Sequence, residues 1–180
     1  LPPQVYSGNV KLPLSVPYCT FEDSPKFSYR GFMLDVARTW ISTDKVKRYR
    51  DLMAYLKRNK LHFHLTDDEG WRIEIKAHPE LAQIGGFRGG DSPVFPRYGK
   101  FDEKWGGYYT QQELKEIVAY AAQRNIEVIP EIDMPGHSKA LGAIYSDILC
   151  NYTPDKSKTN GLEIRNVWCA AKESNYALID

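Results

Sequence analysis

The ionisable side chains with catalytic potential gather in three short stretches. In Pro130-Glu-Ile-Asp-Met-Pro-Gly-His137, a rigid Pro135-Gly136 turn separates Asp133 from His137 by four residues, so both can face one site. An imidazole held by a carboxylate keeps one tautomer and can pass or polarise a proton. His137 could instead cap the following helix. Thr66-Asp-Asp-Glu69 supplies three consecutive acids. Strand side chains alternate, so only one of Asp67 and Asp68 can point along the strand-end axis, and the other acids read as loop caps or solvated groups. Arg38 ends an apolar run. Its guanidinium fork suits paired hydroxyls or a carboxylate, with an ion pair to Asp35 as the alternative. His62 and His64, two residues apart, share a strand face. With His137 they could ligate a metal, but packed strand histidines are the preferred reading, because the remaining histidine, His78, lies in a long loop.

The elements that must position these groups alternate. Phe32 to Ala37 reads as a first strand, followed by Ser42-Thr43-Asp44 as cap candidates and a helix with Val46, Tyr49, Met53 and Leu56 on one face. Leu61 to Thr66 is a second strand by its alternation. Its helix waits until Thr110-Gln-Gln-Glu113, a capping box, with Leu114, Ile117, Val118 and Ala121 on its face. The intervening loop, 68 to 109, is long enough to predict a structured or functional excursion. Ile126 to Pro130 is the third strand, a third helix begins near Ser138 with Ala140, Leu141 and Ile144, and another helix starts around Lys172.

Strand, helix, strand, helix, strand, helix implies an α/β fold with a parallel sheet. Val36-Ala-Arg-Thr39 is not the glycine-rich turn of a doubly wound nucleotide fold. Polar residues instead follow each strand, as in a TIM (β/α)8 barrel. A barrel needs eight units over roughly 250 residues. The expectation is therefore a partial barrel holding about its first three βα units, within a larger protein. Residues 30–180 would be the N-terminal part of that catalytic domain. Residues 1–29, with five of the eleven prolines and no helical period, form an irregular lead-in.

Composition narrows the partners. Net charge is +1, from 24 basic and 23 acidic side chains, so no field favours nucleic acid or an anionic membrane. No apolar run reaches the roughly 20 residues of a membrane-spanning helix. The aromatic side chains, 13% of the chain, serve a core or stack against sugar rings. Three cysteines, Cys19, Cys150 and Cys169, form no CxxC pair, so a structural metal is not expected. Their odd number neither demands nor excludes a disulfide, and Cys150 and Cys169 are the only pair close in sequence.

Four motifs together resemble the catalytic barrel of glycoside hydrolase family 20, the β-N-acetylhexosaminidases. They are Arg30-Gly-Phe-Met-Leu-Asp-Val-Ala-Arg38, Asn59-Lys-Leu-His-Phe-His-Leu-Thr-Asp-Asp-Glu-Gly-Trp71, Gly107-Tyr-Tyr-Thr-Gln111 and Pro130-Glu-Ile-Asp-Met-Pro-Gly-His137. The resemblance implies hydrolysis of terminal β-linked N-acetylhexosamines of glycans or glycoconjugates, without a cofactor or metal. The lead-in looks like the family's entry from a small preceding domain. The substrate's own acetamido oxygen would act as nucleophile. Arg38 would hold sugar hydroxyls, and Asp67 would pair with His137, which contacts an acid/base glutamate, with Asp133 beside them. The family's Gly-Gly-Asp-Glu motif is absent: Gly89-Gly-Asp-Ser92 has serine in place of the glutamate, and Asp102-Glu103 is a loop pair. The chain alone is therefore expected to be inactive, and the rest of the barrel is its expected partner. Rival readings are a non-catalytic sugar-binding paralogue and a metal-dependent barrel hydrolase. Family habit points to a periplasmic or extracellular location.

Overall fold

The structure, a computed structural model, describes residues 17–94, 102–150 and 167–178. Its elements in chain order begin with β1 (Gly31–Asp35), α1 (Thr43–Tyr55), β2 (Lys60–His64), β3 (Thr66–Asp67) and β4 (Gly70–Trp71). There follow α2 (Pro79–Gln83), β5 (Phe87–Arg88), β6 (Trp105–Gly106), α3 (Gln111–Ala122), β7 (Glu127–Glu131) and α4 (Lys139–Ile144). Short 3-10 turns cover Ser146–Ile148 and Glu173–Leu178, the latter where the sequence suggests a further helix. Residues 17–29 contain neither helix nor strand, while the first sixteen residues of the expected lead-in lie outside the described residues.

An α/β core results, with a parallel sheet ordered β1-β2-β7. Its register fixes two faces. Leu34, Phe63 and Pro130 are side by side, as are Phe32, Leu61 and Val128. This face packs on Val46 and Met53 of α1 and on Ile117 and Ala121 of α3. The opposite face carries the rows Met33, His62, Ile129 and Asp35, His64, Glu131. It is the less covered one, and Met33 is 47% exposed. Pro130, which has no N–H to donate, sits in an edge strand.

Helix α3 starts where its sequence demands. Thr110 Oγ1 accepts from the Glu113 amide at 3.2 Å, and the Glu113 carboxylate accepts from the Thr110 amide at 2.8 Å, closing the capping box. The expected face of α3 needs correction at Val118, which is exposed, whereas Ile117 and Ala121 are buried. In α1 the correction is larger: Tyr49 and Leu56 are exposed, and Arg50 is buried between Val46 and Met53. The long aliphatic stem of arginine can fill such a position, and burial pushes its guanidinium down to about 10.

The long connection after β2 is a structured excursion. The second strand ends at His64 rather than Thr66; Thr66 and Asp67 pair antiparallel with Gly70 and Trp71 instead. Arg72, fully buried, ties this hairpin to the sheet. Its guanidinium donates to the carbonyls of Val36 at 2.9 Å, Ala37 at 2.7 Å and Gly107 at 3.2 Å, and to Gly86. That close fit leaves no room for a Cβ at Gly70, where it would strike the guanidinium. A second apolar cluster joins Trp71, Leu81, Leu141, Ile148, Leu149 and Trp168. Among the described residues no helix is long and apolar enough to cross a membrane.

Candidate active site

Parallel register places Asp35, His64 and Glu131 in one row at the carboxyl ends of β1, β2 and β7. Immediately beyond that row the chain turns three times and delivers Arg38, Asp67 and the Asp133 to His137 segment. Asp67 is the hub, 2% exposed. Its Oδ2 meets Arg38 Nη2 at 2.6 Å and His64 Nε2 at 2.9 Å, while Oδ1 accepts from the Asp68 amide at 2.6 Å and lies 3.3 Å from His137 Nδ1. Burial opposes ionisation of Asp67, but His64, the Asp68 amide, Arg38 and His137 outweigh it and hold its pKa below the ordinary value.

His64 bridges two acids. Its Nδ1 lies 2.8 Å from Glu131 Oε2, an oxygen that His62 Nε2 also approaches at 2.5 Å. Burial disfavours the imidazolium, yet Asp67 and Glu131 push His64 up to about 9, so it is charged at neutral pH. Glu131 is held low by His64 and His62 against the effect of burial. Asp133 goes the other way. Burial raises its pKa, and the neighbouring Glu131 and Asp67 add to the rise despite His64. Its backbone is fixed by a hydrogen bond that the Asp133 N–H donates to Thr66 Oγ1 at 2.9 Å.

The four residues singled out in sequence therefore come together. Arg38 contacts Asp67 and also Asp35 Oδ2 at 2.7 Å, the ion pair that was one of its two sequence readings. Its side chain remains 37% exposed. His137 adopts φ 52, a left-handed conformation uncommon outside glycine. Its imidazole is half exposed while touching the buried Asp67, so one edge is anchored and the other is open to an incoming group. The cap role for His137 does not materialise: Ser138 is the N-cap residue of α4, and Asp68 Oδ1 accepts from the Lys139 amide at 3.1 Å.

Of the two readings for Asp68 and Glu69, loop cap or solvated group, burial corrects the second. Asp68 is a cap, accepting from the first amide of α4, and Glu69 pairs with Arg88 Nη1 at 3.1 Å. His64 and Glu131 are the members that sequence reasoning left out of the network. The alternation of Leu61 to His64 marked the right face, but the pairing of His64 with Glu131 depends on register across two strands.

The same acids and imidazoles could be read as metal ligands. Among the described residues, ligand atoms converge within 4.8 Å in two triads, His64-Glu131-Asp133 and Asp67-Asp133-His137. Neither is the His62-His64-His137 set suggested by spacing. Nor do they fit a cation: the Arg38 guanidinium already occupies Asp67 Oδ2, and both ring nitrogens of His64 face carboxylates. The Gly89 to Ser92 stretch is a turn after β5, with the Ser92 amide donating to the Gly89 carbonyl at 3.1 Å.

A parallel sheet that presents a guanidinium, a shielded carboxylate and a half-open imidazole beyond its strand ends is the layout of an α/β enzyme site. The chain belongs to glycosyl hydrolase family 20, whose catalytic-domain model it matches over residues 27–180. It is 54% identical over 127 residues to a beta-hexosaminidase of Vibrio furnissii, covering 71% of this chain and 21% of that protein. A Porphyromonas gingivalis beta-hexosaminidase is 42% identical, over 99% of this chain and 22% of its own length. Among solved structures, the exo β-N-acetylglucosaminidase of Vibrio harveyi in complex with N-acetylglucosamine superposes with a TM-score of 0.78 at 42% identity, over 87% of this chain and 25% of that one. The chain thus spans between a fifth and a quarter of the length of these relatives.

Proposed function

We infer that the whole protein containing this chain is an exo-acting β-N-acetylhexosaminidase that removes terminal β-linked N-acetylglucosamine or N-acetylgalactosamine. The observation that carries this reading is the Arg38–Asp67–His137 chain of contacts, at 2.6 Å and 3.3 Å, in a family 20 sequence. Arg38 keeps exposed donor capacity for sugar hydroxyls while its bond to Asp67 fixes its direction. Asp67, kept ionised, lies 3.3 Å from His137 Nδ1, where it would favour the tautomer protonated at Nδ1 and so set what the open edge presents. That edge would contact the acid/base glutamate, which protonates the leaving oxygen and later activates water. The nucleophile would be the substrate's acetamido oxygen, attacking the anomeric carbon to give an oxazoline-type intermediate.

In this reading β1, β2 and β7 are the first three strands of a (β/α)8 barrel, and the face bearing His62 and His64 lines its interior. Further strands would cover the two sheet edges, and the acid/base glutamate would come from one of them. The chain by itself should hydrolyse nothing by this route. The whole protein should release the aryl group from an aryl N-acetyl-β-glucosaminide and leave the corresponding aryl β-glucoside, which lacks the acetamido oxygen, essentially untouched. Comparable turnover of both substrates would refute substrate assistance, and turnover of neither would refute the hexosaminidase reading.

A further inference from the structure

We propose that Cys150 and Cys169 are a redox-dependent pair whose disulfide fastens the Trp168 segment, itself hydrogen-bonded to the turn that carries His137, to the chain after Ile148. Both thiols are free, Cys150 exposed and Cys169 buried, and they lie close enough to shift each other's pKa, Cys150 upward and Cys169 downward. The backbone on either side is already stitched. Leu149 and Trp168 form an antiparallel bridge, and the Cys169 amide donates to the Ile148 carbonyl at 2.8 Å. The buried Asn175 amide donates to the Ile148 carbonyl at 2.8 Å and the Cys169 carbonyl at 2.9 Å, and Lys172 Nζ reaches the Leu149 carbonyl at 2.8 Å. The antiparallel bridge sets the two cysteines diagonally on one face of the paired segments, so closing the bond takes side-chain rotation and a local backbone adjustment to meet the Cα separation that a disulfide requires.

The position of the pair gives the bond a consequence. Next to Cys169, the Trp168 amide donates to the Pro135 carbonyl at 2.8 Å, two residues before His137. Trp168 and Met134 together wall two neighbouring apolar cavities. Cys19 has no such setting: it is exposed, and its thiol donates to the Pro17 carbonyl at 3.3 Å. The covalent bond would keep Trp168 seated when the surrounding weak contacts open, and reduction would leave that wall held by hydrogen bonds and packing alone. An oxidising compartment would favour the bonded form.

The chemistry is thiol–disulfide exchange with a small external disulfide. The accessible Cys150 gives its proton to solvent, attacks one external sulfur and expels one thiolate. Cys169 then loses its proton, attacks the Cys150 sulfur and expels the second. In the second step Cys150 no longer has a proton to donate, and the Ala171 amide is a contact that still favours the Cys169 thiolate. Two protein thiols and one external disulfide become one protein disulfide and two external thiols. The pairing holds whether or not the protein cleaves glycans.

The test is to treat the reduced protein with oxidised glutathione, alkylate it under denaturing conditions and map the peptides without reduction. A Cys150–Cys169 crosslink is expected, with free thiols falling from three to one and Cys19 alkylated. Amide exchange at Trp168 should slow severalfold on oxidation. The Cys169→Ser variant should accumulate a glutathione adduct at Cys150. A crosslink involving Cys19, or a stable Cys150 adduct in the unaltered protein with Cys169 alkylated, would overturn the pairing. Unchanged Trp168 exchange in crosslinked protein would overturn the fastening role.

Discussion

At the scale of single residues, Asp67 is saturated with donors: Arg38 and His64 on one oxygen, the Asp68 amide and His137 on the other. Removing any donor leaves a buried carboxylate short of a partner, which is costly. The charge state of His64 follows from the same geometry and has a definite pH signature. Its folded pKa is raised from 6.5 to about 9, so its stabilising contribution is complete below 6.5 and is lost as pH rises through about 9. Asp67 and Glu131 have lowered values, so their contributions are present above their ordinary values of 3.8 and 4.5 and fade as pH falls. Thermal unfolding should therefore show stability declining between pH 6.5 and about 9, and a His64→Gln variant should lack that part of the decline. Parallel pH profiles for the two proteins would contradict a charged His64. Arg38, Asp67, Asp133 and His137 were legible in the sequence because each lies just beyond a segment that reads as a strand. The link between His64 and Glu131 was not, since it joins residues 67 positions apart whose adjacency exists only once the strands are in register.

At the scale of elements, the sequence signals differ in how local they are. The Thr110–Glu113 capping box is a local code and forms as read. Thr110→Ala should cost about 1 kcal/mol in denaturant unfolding; a loss below a few tenths would mean that tertiary packing alone fixes the start of α3. The inner face of α1 was misassigned because periodicity counts apolar residues, whereas the tight packing of α1 on α3 takes the stem of Arg50 and leaves Tyr49 and Leu56 outside. The excursion after β2 was legible only as a long connection. What organises it is Arg72, whose guanidinium gathers carbonyls from the segment after β1 and from Gly86 and Gly107. Nothing in a lone arginine after a tryptophan announces that role. Arg72→Met should destabilise by about 3–5 kcal/mol, because several buried carbonyls lose their donor together. A loss under about 1 kcal/mol would show that water replaces it at no cost.

At the scale of the molecule, a three-stranded parallel sheet has one face packed by helices and one bearing histidines and acids. Among the described residues both of its outer strands lack a further partner in that sheet. Parallel sheets are normally covered on both faces, and bare edges invite pairing, which supports the proposal that further strands flank this sheet. Family membership and the short span of the relatives covered point the same way. The central claim is that Asp67 acts on the reaction through His137, and double substitution in the whole protein addresses it most directly. With an aryl N-acetyl-β-glucosaminide, Asp67→Asn and His137→Ala should each lower kcat by about 100-fold or more. The double variant should be little worse than the more damaged single one, because residues acting as a unit are not additive. Losses that multiply independently, or a His137→Ala enzyme with unchanged kcat, would contradict the account.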